Sequence, residues 1–185
     1  MNQKKNVFAL IAGICLMAAS FLMFISTARN MVLSIQYHSL NYSTFVAFFL
    51  EIALLLAGLF LLLRKKLVAA IMMCVVAFLY LVNVVTGLTF WLVCIFFAYG
   101  LLGAALFGKG IYGLIMCLGA AFFRFIPFVR QLVNFPRSFG YGGISALMST
   151  LSLLSVMLMI TAMVMAGLYL FGLGRQERVQ PPYQR

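Results

Sequence analysis

Acidic side chains are almost missing from this sequence. It has no aspartate, and its two glutamates are Glu51 and Glu177. Without aspartate, aspartate-based metal and phosphoryl-transfer sites are excluded. Histidine is reduced to His38, too few for a histidine-ligated metal centre. Charge of either sign is scarce at 8% of residues, against about a quarter in an ordinary soluble domain. Such a chain cannot build a water-facing surface, so a lipid bilayer is the solvent its composition fits. Cys15, Cys74, Cys94 and Cys117 all lie in apolar runs and no C-x-x-C occurs, so they read as small buried apolar side chains.

What is present is hydrophobic residue, 66% of the chain, in long runs between short polar breaks. Roughly 20 apolar residues cross the hydrocarbon of a bilayer as a helix, and helices satisfy their own backbone groups there. The fold class is therefore all-α, a polytopic membrane helix bundle. The first helix covers about Val7–Ser26; its apolar stretch exceeds the ~7–15 residues of a signal-peptide core, so it reads as an uncleaved span. A polar loop, Arg29–Ser43, follows. The second helix covers about Thr44–Leu63, the third Leu67–Val85 and, after a break at Thr86-Gly87, the fourth about Leu88–Phe107.

The net charge of +11 comes from 13 lysines and arginines against the two glutamates. These cations sit at the ends of apolar runs, where topology signals and headgroup contacts belong, so the charge points to lipid and not to nucleic acid. Lysine and arginine collect on the cytoplasmic side of short loops. That places Lys4, Lys5, Arg64–Lys66 and Lys109 inside and the Arg29–Ser43 loop outside.

Residues Gly110–Gly143 admit two readings. In one, about Gly110–Val129 is a fifth span with Pro127 near its outer end; in the other the region stays cytoplasmic and the protein has five spans. The balance of cations across the membrane is the same in both. A weak repeat favours six. Cys15-Leu16-x-Ala18-Ala19-x-Phe21 recurs as Cys117-Leu118-x-Ala120-Ala121-x-Phe123, and partly as Cys74-x-x-Ala77-Phe78, each cysteine following a lysine at similar spacing. Equivalent segments would cross in one direction, giving three antiparallel hairpins with both termini cytoplasmic. Phe128, Leu132, Phe135 and Phe139 then form an interfacial segment beside Arg130 and Arg137. The last helix covers about Ile144–Gly172. Residues 1–174 form a single transmembrane domain and 175–185 a short disordered cytoplasmic tail.

Ionisable groups inside a membrane are costly and mark candidate sites. At 1.5 Å per residue, Glu51 falls about 10 Å and Arg124 about 7 Å below the outer surface, level enough to pair. Asn83, Trp91 and His38 fall in the same outer layer. Glu51, Asn83, Trp91, Arg124 and His38 are therefore the candidate ligand-binding residues of a polar pocket open to the outside. On the last helix, Ser145, Ser149, Ser152 and Ser155, with Ala162-x-x-x-Ala166, form a small-residue packing face, toward the same chain, another copy or a partner membrane protein.

Catalysis and metal transport find little support. Twelve methionines suit copper(I), but neighbours such as Met157 and Met159 point to different helix faces, and no loop gathers an entry site. No metal and no cofactor is expected. Gly143-Ile144-Ser145 resembles the serine motif of intramembrane serine proteases, but the histidine those enzymes need downstream is missing. A Cys–His dyad is open only to Cys94 and His38. Asn41-Tyr42-Ser43 matches a glycosylation sequon in the first loop.

In gross features the chain is similar to the membrane-embedded substrate-binding subunits of energy-coupling-factor vitamin transporters. The resemblance rests on size, six helices, basic bias and an outward pocket, with no shared motif. It implies solute capture. The expectation is a non-enzymatic, multi-pass cell-membrane protein, a small transporter or transporter component holding a small solute in its outer half. The alternative is a non-transporting scaffold that binds partner helices through helix 6.

Overall fold

The computed structural model describes residues 2–38, 42–86, 89–138 and 142–179. Six helices make up its regular structure: α1 (Asn2–Gln36), α2 (Tyr42–Leu62), α3 (Lys66–Thr86), α4 (Phe90–Phe107), α5 (Gly110–Ser138) and α6 (Gly143–Val179). All six are long and apolar enough to cross a membrane. The six-helix architecture is thus compatible with an integral membrane protein.

Neighbours in sequence are neighbours in space, and α6 closes the series by packing against α1 as well as α5. Close approaches at glycine fix the directions. A Cβ on Gly13 would meet the backbone N of Leu62 at 2.8 Å, and one on Gly58 would meet that of Met17 at 2.9 Å. Later residues of α1 thus face earlier residues of α2, and the two run antiparallel. Gly113 against Leu170 and Gly167 against Cys117 show the same for α5 and α6. Gly103 against Cys74 and Tyr99 against Tyr80 show it for α3 and α4.

Alanines are concentrated in the interior, among larger side chains such as Leu54, Met73 and Leu170, while many large rings lie on the exterior. Ala12, Ala19, Ala57, Ala69, Ala70, Ala98, Ala105 and Ala120 are fully buried, while Phe49, Phe78 and Phe122 are each more than 60% exposed. Lipid tails are as apolar as leucine, so burial of large side chains is no driving force here; close backbone approach and dispersion contacts take its place. Large rings pointing outward then meet lipid at no cost.

Turn chemistry closes the short connections. Arg64 adopts φ +61°, and the Lys65 amide donates to the Phe60 carbonyl at 2.8 Å, closing α2 with a left-handed cap. The Lys66 ammonium donates to the Gly108 carbonyl at 3.2 Å. A cation thereby satisfies an end carbonyl of α4, where the helix dipole favours positive charge. This end, carrying Lys66 and Lys109, is the lysine end; the opposite one, where α4 begins at Phe90, is the tryptophan end.

Helix boundaries differ from those read in the sequence. α1 continues through Arg29, Asn30 and Gln36, so most of the expected first loop is helix. No glycine or proline interrupts those residues, and polar side chains at a membrane surface do not stop a helix. α5 runs without a break to Ser138, through Pro127 and Pro136. The expected interfacial segment is therefore its continuation, Phe139 lying outside the described residues. Each proline removes one backbone donor, and neighbouring helices in a bundle tolerate that loss. α6 extends to Val179, making the start of the expected tail helical; the rest, from residue 180, lies outside the described residues. So do Gly87 of the expected break and Asn41 of the sequon.

The repeat marks similar helices but not equivalent positions. Leu16 is buried at 2% exposure, whereas its counterpart Leu118 is 48% exposed. Cys117 is buried and Cys74 exposed.

Candidate functional site

Two polar groupings occupy the tryptophan half of the bundle. The inner one combines side chains from four helices. Glu51 on α2 and Arg124 on α5 are buried at 6% and 2% exposure and lie within electrostatic reach of each other. α2 and α5 are not packed against one another, so the two side chains interact across the interior. Tyr80 of α3 and Tyr99 of α4 stack beside them, with ring centroids 5.2 Å apart and planes 21° from parallel. The Arg124 guanidinium carbon lies 5.7 Å from the Tyr99 ring centre, a cation–π distance.

Depth along the helices explains why these four meet. Glu51 and Tyr99 both lie nine residues from the starts of their helices, Tyr42 and Phe90, which is about 13 Å from the tryptophan end. Tyr80 lies six residues before Thr86, about 9 Å from that end. Helical side chains lean toward the N-terminus, so Glu51 and Tyr99 lean one way and Tyr80 and Arg124 the other, converging on one layer.

Hydrogen bonding in this layer is incomplete. Among the described residues, Glu51 Oε2 and Arg124 Nε are buried with no hydrogen-bond partner. Pro127, one turn beyond Arg124, cannot donate to the Phe123 carbonyl, leaving a further backbone acceptor at this depth. Buried polar atoms without partners are uncommon in folded proteins and require an explanation.

The outer grouping is a cavity of about 360 Å³ between α4, α5 and α6. It is lined by Trp91 and Ile95 of α4, Pro127, Arg130, Gln131 and Asn134 of α5, and Ser149 and Ser152 of α6. The Arg130 guanidinium carbon sits 4.5 Å from the Trp91 ring centre. Gln131 Oε1 is buried without a partner. Arg124 is six residues, about 9 Å, further in along α5 than Arg130, so the cavity lies on the outward side of the inner cluster.

The residues named from sequence separate accordingly. Glu51 and Arg124 come together. Trp91 is in the cavity. Asn83, near the end of α3, is half-buried and is not part of the cavity lining. His38 is exposed in the turn after α1 with φ +51°, apart from both groupings, and Cys94 is buried on α4. The extension of α1 as helix to Gln36 carries His38 beyond the layer expected for it.

The packing residues of α6 also divide. Ala162 and Ala166 are buried, and the neighbouring Ser155 hydroxyl donates to the Ala19 carbonyl of α1 at 2.9 Å. Ser149 and Ser152 instead face the cavity, and Ser145 is half-buried. Among the described residues, no group of three or more His, Cys, Asp or Glu side chains is placed to hold a metal ion.

Sequence reasoning missed Tyr80, Tyr99, Arg130, Gln131 and Asn134. The two tyrosines carried a usable signal, because each lies more than one turn inside a membrane-length helix. Arg130, Gln131 and Asn134 fall in the expected interfacial segment, and the continuation of α5 as helix sets them along one wall of the cavity. Compared with known proteins, the chain matches no family model, no curated protein and no solved structure.

Proposed function

We propose that this is a multi-pass membrane protein without enzymatic activity that captures a small solute in the outer half of its bundle, as a small transporter or a component of one. Lysine and arginine cluster at the lysine end, so the positive-inside rule assigns that end and both termini to the cytoplasm, and the cavity to the outside. The cell membrane is the natural setting for such a site. One observation carries the reading: a cavity at the outward end overlies a buried layer in which Glu51 and Arg124 each keep a polar atom without a protein partner. Pockets of about 300–1,000 Å³ with a few convergent polar groups are the usual form of small-molecule sites. Ionisable side chains buried in the middle of a membrane bundle, costly to place there, are characteristic of solute and ion pathways.

The scaffold alternative is less well supported. Half of its docking face on α6 is already covered within the chain, Ala162 and Ala166 being buried and Ser155 bonded to α1.

The test uses the purified protein in mild detergent with the cavity filled by Ser149→Phe and Ser152→Phe. Solute capture predicts that native mass spectrometry detects a small molecule bound to the unmodified protein and lost from the filled variant. Identical bound species in both would overturn the reading.

A further inference from the structure

The cavity lining has a one-sided chemistry. Arg130 contributes a permanent positive charge, Gln131, Asn134, Ser149 and Ser152 contribute neutral hydrogen-bonding groups, and no acidic side chain takes part. Both acids of the chain are elsewhere: Glu51 is buried with Arg124, and Glu177 is at the lysine end of α6. Arg130 is not engaged by either. Its guanidinium carbon lies over the Trp91 ring, and a guanidinium held by an aromatic face presents its N–H groups at its edge, where a two-oxygen acceptor binds in fork geometry.

The remaining walls set a second requirement. Trp91, Ile95 and Pro127 supply apolar surface next to the cation. Inorganic ions would leave that surface uncovered, whereas an anion with a short apolar portion covers it. The volume of about 360 Å³ suits a ligand at the small end of the usual range.

We infer that the outward cavity binds an organic anion, a carboxylate or phosphate monoester, with its charged group on Arg130 and its apolar portion against Trp91, Ile95 and Pro127. This inference rests on the solute-capture reading and narrows it to a ligand class. The same chemistry is offered by a free solute and by the headgroup of an acidic lipid, and the experiment separates the two.

Trp91 is the only tryptophan in the chain and lies in the cavity wall, so its fluorescence reports directly on the site. Purified protein in phosphatidylcholine nanodiscs is titrated with hexyl phosphate, hexanoate, hexylamine and hexanol. Saturable changes in Trp91 emission are expected with the two anions alone. Arg130→Gln should weaken them about tenfold, the order expected for losing one charge-assisted contact. Asn134→Asp, which sets a carboxylate one helical turn from Arg130 where it competes with the ligand for the guanidinium, should weaken them as well, and melting temperatures verify that both variants are folded.

Equal responses to hexylamine or hexanol would overturn the anion assignment while leaving solute capture intact. Absence of a saturable response to every probe would overturn both. Nanodiscs containing phosphatidylglycerol identify the source. Emission already shifted to its saturated value there, with no further effect of hexyl phosphate, assigns the site to a lipid headgroup; an unchanged titration assigns it to a free solute. Both results uphold the anion.

Discussion

Arg124 holds its guanidinium carbon 5.7 Å from the centre of the Tyr99 ring, on the side of the interior that Glu51 reaches from α2. The cation thus has a carboxylate and an aromatic face as neighbours, two of the few surroundings in which a buried guanidinium persists without water. Its weakness is mutual dependence: removing either charged partner strands the other.

Replacing Arg124 by Leu is therefore expected to destabilise the protein by about 1–3 kcal/mol, since Glu51 loses its cationic neighbour and stays buried only by taking up a proton, with its polar atoms unpaired. The double variant Glu51→Leu/Arg124→Leu should recover most of that loss. The exchange Glu51→Arg/Arg124→Glu should accumulate better than either single replacement. Thermal unfolding in mild detergent and membrane abundance measure both, and doubles no better than singles would dismiss the pair.

Packing of α1 on α2 is limited by backbone, not by flexible side chains. Gly58→Val should cost about 1–3 kcal/mol, because even a Cβ there meets Met17 N at 2.9 Å. Gly100→Ala is the matching control. No atom lies within 4 Å of a Cβ at Gly100, and alanine is the better helix former, so stability should be unchanged or slightly higher. Comparable losses in the two variants would contradict the close approach.

The Ser155–Ala19 hydrogen bond has a small expected contribution despite its buried position. Interhelical side-chain bonds in membrane bundles average about 0.6 kcal/mol, so Ser155→Ala should lower the melting temperature only slightly. Ser155→Leu should be far worse, because Ser155 is fully buried against α1 and has no room for a larger side chain. Equal effects would mean that the hydroxyl, and not the size of the residue, holds the helices together.

Topology has a direct readout. A cysteine replacing Arg137 should react with a membrane-impermeant thiol reagent from one face, while a cysteine replacing Lys109 and tags at the two ends are reached from the other. Labelling of positions 109 and 137 from the same face would show that α5 does not cross.

The first four helices and the last were legible because alternation between apolar runs and short polar breaks is the strongest signal a membrane protein carries, while the fifth was favoured only by a weak repeat. Helix ends were less legible. Arg29, Asn30 and Gln36 look like loop in a hydropathy reading, yet backbone hydrogen bonding continues wherever nothing obstructs it. Pro127 and Pro136 act as stops in water, but α5 passes through both, and at the buried Pro127 the neighbouring helices pack around it. The Glu51–Arg124 relationship could be anticipated, as intramembrane charges are so few that depth alone matches them. Tyr80 and Tyr99 escaped notice because tyrosine is ordinary at membrane surfaces, and only the register between α3 and α4 reveals how deeply both sit.

Closure of α6 against α1 has a consequence for biogenesis. A growing chain presents its helices in order, so the side of α1 that α6 packs against stays uncovered until the final helix inserts. A nascent chain halted after α5 would leave the Ala19 carbonyl region of α1 facing the surrounding lipid, and the arrival of Ser155 beside it is what hides it.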